Sequence, residues 1–103
     1  MRVYISGKIT GLDIEKARDN FFISEMNVRM MGFTPINPMN KKYLFNRMKK
    51  IPWILYIICD MFLLLKCTAI YLQDNWKDSK GARLEYKVAS FLGYIIIKER
   101  WEE

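Results

Sequence analysis

The chain reads as a small three-layer α/β domain of the flavodoxin or Rossmann-like kind, a four-stranded parallel sheet in the order 2-1-3-4 with three or more helices against it. Three observations predict this. Four short runs rich in β-branched and aromatic residues, at 2–6, 33–36, 68–72 and 94–97, alternate with longer segments of helical character. Gly32 and Gly93 stand where two of those segments hand over to the next strand, as glycines do after a helix. Strict alternation also forces long crossovers, and right-handed crossovers give parallel neighbours. At 103 residues the chain makes one domain, 1–103.

The first strand, Arg-Val-Tyr-Ile-Ser, runs into Gly7-Lys8-Ile9-Thr10-Gly11, a turn with two glycines that lacks both the Gly-Lys-Ser/Thr ending of a Walker loop and a G-x-G-x-x-G fingerprint. Asp13 then caps a helix with Ile14, Ala17, Phe21, Val28 and Met31 on its inner stripe. Pro35 marks the second strand as an edge, because proline cannot donate to a ladder. The stretch 37–50 carries Lys41, Lys42, Arg47, Lys49 and Lys50 without a clean period and reads as a surface segment or lid.

From Pro52 to Lys66 runs the most apolar helix, with Asp60 as its one acid; that carboxylate either faces out or is held inside by partners. The third strand, 68–72, is apolar throughout, as in the middle of a parallel sheet. After the polar loop 73–78, Ser79 caps a helix that Gly93 ends, with Ala82, Leu84, Tyr86, Val88, Ala89, Phe91 and Leu92 as its apolar stripe and Glu85 beside it. The fourth strand and a charged tail complete the chain.

Composition narrows the function. Seventeen basic against eleven acidic side chains give a net charge of +6, which favours an anionic ligand. The basic residues are scattered, with one tight cluster at Arg47, Lys49 and Lys50, which argues against nucleic acid as the partner. There is no histidine, and Cys59 and Cys67 are eight apart, so zinc sites, Ser-His-Asp triads and Cys-His pairs are set aside. The two cysteines read as reduced core residues of a cytoplasmic protein, and a strand that starts at Arg2 leaves no room for a signal peptide. The apolar run 51–65 is interrupted by Pro52 and Asp60 and stopped by Lys66, short of the ~20 residues that span a bilayer, so no membrane partner is expected.

In a sheet of this order the ligand crevice lies beyond the carboxyl ends of the first and third strands. That brings 6–11 and 73–81 together, with Tyr4 and Glu85 around the pocket. Gly81 and Ala82 fall in the first turn of the Ser79 helix, where bare N–H groups and the helix dipole accept a phosphate or carboxylate. A helix packed on a sheet with a solvated glutamate is the alternative reading of the same residues.

The motifs Tyr4-Ile5-Ser6-Gly7-Lys8-Ile9-Thr10-Gly11, Gly32-Phe33 with Asn37-Pro38, Trp53…Tyr56…Asp60…Cys67-x-Ala69-Ile70 and Trp76…Ser79-x-Gly81-Ala82-x-x-Glu85…Ala89…Gly93 resemble the nucleoside 2-deoxyribosyltransferase-like superfamily, above all its small phage- and prophage-type branch. The resemblance implies cleavage or exchange of an N-glycosidic bond through a glutamate nucleophile, here Glu85, without metal or cofactor. It implies that Tyr4 holds that carboxylate by a hydrogen bond and that Asp60 works near the leaving base, as the acid that protonates it. It further implies Ser6, Gly7, Lys8, Ser79, Gly81 and Ala82 around the substrate. Six positions before the nucleophile, the transferases of free deoxynucleosides usually carry aspartate, whereas the 5′-monophosphate hydrolases resemble this chain in having serine, here Ser79. A hydroxyl beside bare N–H groups suits a phosphate, so the expected substrate is a nucleotide and the expected reaction hydrolysis. A homodimer or higher homo-oligomer is expected from the resemblance, with the 51–65 helix, Trp53 and Tyr56 as its surface.

Overall fold

A computed structural model describes residues 1–39 and 53–100, with the backbone alone for 53–56. Four strands, β1 (Arg2–Ser6), β2 (Thr34–Ile36), β3 (Ala69–Leu72) and β4 (Ile95–Lys98), form one parallel sheet in the order β2-β1-β3-β4. Three α-helices connect them: α1 (Ile14–Met30), α2 (Trp53–Leu64) and α3 (Lys80–Phe91). Class, strand order and handover points are those the sequence predicts, and Pro35 lies in an edge strand.

The period of two along the central strands builds two cores. Val3, Ile5, Ala69 and Tyr71 pack with Ala17, Phe21 and Val28 of α1. Tyr4, Ile70 and Leu72 pack with Leu64, Cys67 and Ala89 on the opposite face. β1 and β3 are therefore covered on both sides, which is why they carry almost no polar residue.

Both expected helix stops use the same device. Gly32 adopts φ +86° and Gly93 φ +75°, where a β-carbon would be strained. Their N–H groups donate to Arg29 and Ser90, and those of Phe33 and Tyr94 to Val28 and Ala89, which satisfies the last carbonyls of α1 and α3 and turns the chain into β2 and β4.

Three details differ from the sequence reading. The inner stripe of α1 is Ala17, Phe21, Ser24 and Val28, whereas Ile14 and Met31 are exposed, one before the first residue to reach the sheet and the other past the helix end. Asp13 holds the cap position of α1 but its side chain makes no capping bond. The buried stripe of α3 is Ala82, Glu85 and Ala89, with Leu84, Phe91 and Leu92 exposed, because small residues let that helix lie close on the sheet and a carboxylate takes one inward place.

The alternative of a solvated glutamate is thereby removed: Glu85 is 4% exposed. Asp60 is 7% exposed on α2, in line with buried Ile57 and Leu64, so it is held inside. Cys67 is buried and Cys59 half-buried, both as free thiols. The lid at 37–50 with Lys41, Lys42, Arg47, Lys49 and Lys50 lies outside the described residues from position 40 on, as do the side chains of Trp53 and Tyr56. Among the described residues no helix is long and apolar enough to cross a membrane.

Candidate active site

Strand β1 points Tyr4 and Ser6 to the face that α3 covers, and α3 turns Glu85 inward to meet them. Tyr4 Oη donates to Glu85 Oε2 at 2.5 Å and Ser6 Oγ donates to Glu85 Oε1 at 2.8 Å, across more than 70 residues of chain. Both oxygens act as acceptors, the arrangement of an ionised carboxylate, and two donors from one rigid strand fix its plane. Each bond is buried, so breaking either would leave a polar group without water to replace the partner.

The carboxylate borders a cavity of about 510 Å³ at the carboxyl ends of β1 and β3. Tyr4, Gly7, Asp60, Ser79, Gly81, Ala82 and Glu85 all line it. Ile5, Ile9, Phe21, Pro38 and Ile57 supply apolar wall, and Thr10, Asp78 and Lys80 complete the rim. The site is thus a mostly apolar slot with two buried carboxylates and a helix N-terminus, which suits a ring-bearing ligand with an anionic end.

The first turn of α3 is arranged around Ser79. Its Oγ accepts from the Ala82 N–H at 3.1 Å and its carbonyl accepts from the Arg83 N–H at 3.0 Å. The hydroxyl hydrogen remains a donor, and the Gly81 amide has no acceptor within its own helix. A β-carbon at position 81 would lie 3.1 Å from Ile57 Cδ1, so glycine keeps the backbone open between α2 and α3.

Two expected ligand residues are not among those that line the cavity. Ser6 Oγ is hydrogen-bonded to the Glu85 carboxylate. Lys8 is not among the cavity-lining residues; its backbone N–H donates to Asn75 Oδ1 at 3.0 Å, and its side chain lies beside Gly11. Together with the bond from Gln73 N to the Ser6 carbonyl, at 2.9 Å, this contact straps the β1 loop to the loop after β3. Gln73 is 2% exposed, its amide packs against the Cα of Gly7, and any side chain at position 7 would run into it. Neither Gln73 nor Asp78 stood out in the sequence. Their signal was position alone: a polar residue directly after an all-apolar strand, and an acid directly before a helix cap.

The sequence profile of the family described as "Domain of unknown function (DUF4406)" matches residues 1–98. The chain belongs to the DUF4406 family. No curated protein matches this DUF4406 chain. Among solved structures it is similar to "2-desoxiribosyltransferase from Leishmania mexicana", with a TM-score of 0.62 and 16% identity over 94% of this chain and 62% of that one. The DUF4406 domain therefore has a nucleoside 2-deoxyribosyltransferase-like fold, and it spans about 62% of that enzyme's length.

Proposed function

We propose that this protein breaks, or exchanges across, the N-glycosidic bond of a nucleotide, with Glu85 as nucleophile. The observation that carries the reading is the buried Glu85 carboxylate, fixed by Tyr4 and Ser6 at the wall of the main cavity. A Glu85 oxygen attacks the anomeric carbon, the C–N bond breaks, and the base leaves with its electron pair and takes a proton from Asp60. Water then cleaves the glycosyl ester, returns Glu85 as a carboxylate and re-protonates Asp60, so the net reaction is substrate plus water to base plus sugar. A second base in place of water gives transfer. The likeness in fold to a deoxyribosyltransferase supports this class of chemistry.

The first turn of α3 favours a 5′-phosphate over a free hydroxyl. Ser79 and the Gly81 amide offer hydrogen-bond donors there, at the positive end of the helix. Hydrolysis of a nucleoside 5′-monophosphate is accordingly the preferred form of the reading.

The test is release of free base, followed by chromatography, from ribo- and deoxyribonucleosides and their 5′-monophosphates, with wild type and Glu85→Ala side by side. Release from a monophosphate that falls by roughly 10⁴-fold or more in the variant is the expected result. No release from any substrate, with a nucleotide still raising the melting temperature, overturns the enzyme and leaves a nucleotide-binding protein on the same fold.

A further inference from the structure

Among the described residues, the buried side-chain polar atoms without a hydrogen-bond partner both belong to Gln73, its Nε2 and its Oε1. The residue is 2% exposed, so bulk solvent does not reach the amide. A buried carboxamide in that state is costly, and an apolar side chain of the same shape would fill the place without the cost. The backbone of the same residue is fully engaged. Its N–H donates to the Ser6 carbonyl at 2.9 Å, and its carbonyl accepts from the Trp76 N–H at 3.0 Å. The main chain is fixed and the side chain alone is uncommitted.

Its position gives the amide a use. Gln73 is the first residue after β3, at the switch point where the main cavity opens. The carboxamide occupies the space that a side chain on Gly7 would take, and Gly7 itself lines the main cavity. The amide is therefore one backbone unit behind the cavity wall, with no side chain in the way. On its other side Gln73 lines a smaller pocket of about 360 Å³ together with Asn20, Asn75 and Asp78, and Asp78 borders the main cavity as well. Gly7 follows Ser6, whose Oγ donates to Glu85 Oε1 at 2.8 Å. The part of the cavity nearest the amide is thus the part beside the carboxylate, where a sugar ring must lie for Glu85 to reach its anomeric carbon.

We propose that Gln73 reads the sugar, and that the substrate is a ribonucleotide. The proposal rests on the N-glycosidic reading above for the position of the ring. The cis 2′,3′-hydroxyl pair of a ribose sets an acceptor and a donor side by side, which matches the Nε2 donor and the Oε1 acceptor of one carboxamide. A 2′-deoxyribose leaves one of the two amide groups unmet inside a closed site. The bond to the 2′-hydroxyl also strengthens as positive charge develops at the neighbouring anomeric carbon, so it acts on the reaction as well as on binding. The unpartnered amide of the free protein is satisfied when the sugar arrives.

The experiment is base release, measured as kcat/KM, from matched ribo- and 2′-deoxyribonucleoside 5′-monophosphates of adenine and cytosine, with binding of the same nucleotides followed by calorimetry. Wild type is compared with Gln73→Met, which keeps an unbranched side chain of similar size and has no amide. Wild type should favour the ribonucleotide by about 10²-fold. In Gln73→Met the ribonucleotide should fall to the level of its deoxy counterpart, while the deoxynucleotide stays within about threefold of wild type. The melting temperature of the free variant should equal or exceed that of wild type. Equal use of both sugars, a preference for the deoxynucleotide, or a ribonucleotide preference that Gln73→Met retains overturns the sugar reading. A variant that loses both substrates alike, or that melts well below wild type, overturns it too, since the amide would then be structural. Base release without any sugar preference leaves the N-glycosidic reading standing. Ribonucleotide-selective binding that Gln73→Met abolishes, with no base release, does the reverse. Binding of no nucleotide at all overturns both.

Discussion

The helices α1 and α3 cover opposite faces of one sheet, and each turns a polar side chain inward among buried neighbours. On α1 the residue is Ser24, with no exposed surface; on α3 it is Glu85. Ser24 Oγ donates to the Asn20 carbonyl at 3.0 Å, one turn back along its own helix. Glu85 instead takes two donors from β1, at the far end of the sequence. A hydroxyl bonded within its own helix, with the Tyr71 hydroxyl beside it, makes a smaller demand on the rest of the fold. A buried carboxylate satisfied across 79 and 81 residues makes the larger one, since two separate elements must carry matching groups at one place. Such an arrangement adds little to stability that apolar residues could not, so its presence at a cavity wall speaks for chemistry.

The largest effects therefore fall on the long-range pair. If Tyr4 and Ser6 act by holding Glu85, Tyr4→Phe keeps the ring in its core and loses roughly 10²-fold in kcat. Ser6→Ala loses less, about tenfold, because its bond is longer and the carboxylate keeps its tyrosine. In that case kcat should fall while KM holds. A rise in KM with kcat unchanged would make them substrate contacts and break the contrast with Ser24.

Much of this was legible in the sequence because strand and helix periods are local signals. The alternation of β1 separates Val3 and Ile5 from Tyr4 and Ser6, and the glycines at 32 and 93 mark the turns that place β2 and β4. The switch point between β1 and β3 then follows from strand order. Two kinds of feature escaped. Glu85 could not be told from a solvated glutamate by period alone, since burial of one helical position depends on what stands opposite it. The roles of Lys8, Gln73 and Asn75 depend on how two loops strap together, through a backbone N–H to Asn75 and an amide laid on Gly7, and no spacing rule encodes that contact.

The local partner sets the scale of the second effect. Ser24→Ala removes a bond to a carbonyl that the helix ladder can itself satisfy, and leaves a hydrogen in place of a hydroxyl in a packed site. Urea denaturation should show a change within about 1 kcal/mol, and base release should be unaltered. A loss well above that would mean that Ser24 is tied to the wider fold as Glu85 is, through the neighbouring Tyr71 hydroxyl that accepts from Asn27 Nδ2 at 3.1 Å.

The last effect tests the local device again, in a group that titrates. Cys67 Sγ donates to the Leu63 carbonyl at 3.4 Å, four residues back as Ser24 does. Burial pushes the thiol up from 9.0 to about 11, with the nearby charge of Arg2 opposing the rise. The neutral thiol is thus favoured in the folded chain. Its stabilising contribution is whole below pH 9.0 and is lost as pH climbs toward about 11, because the unfolded thiol ionises first. Over that window wild type should lose more stability in urea than Cys67→Ala, the subtraction cancelling the buried tyrosines that titrate nearby. Equal losses would mean that the thiol ionises in place, which requires water or a cation to reach a side chain that is 4% exposed.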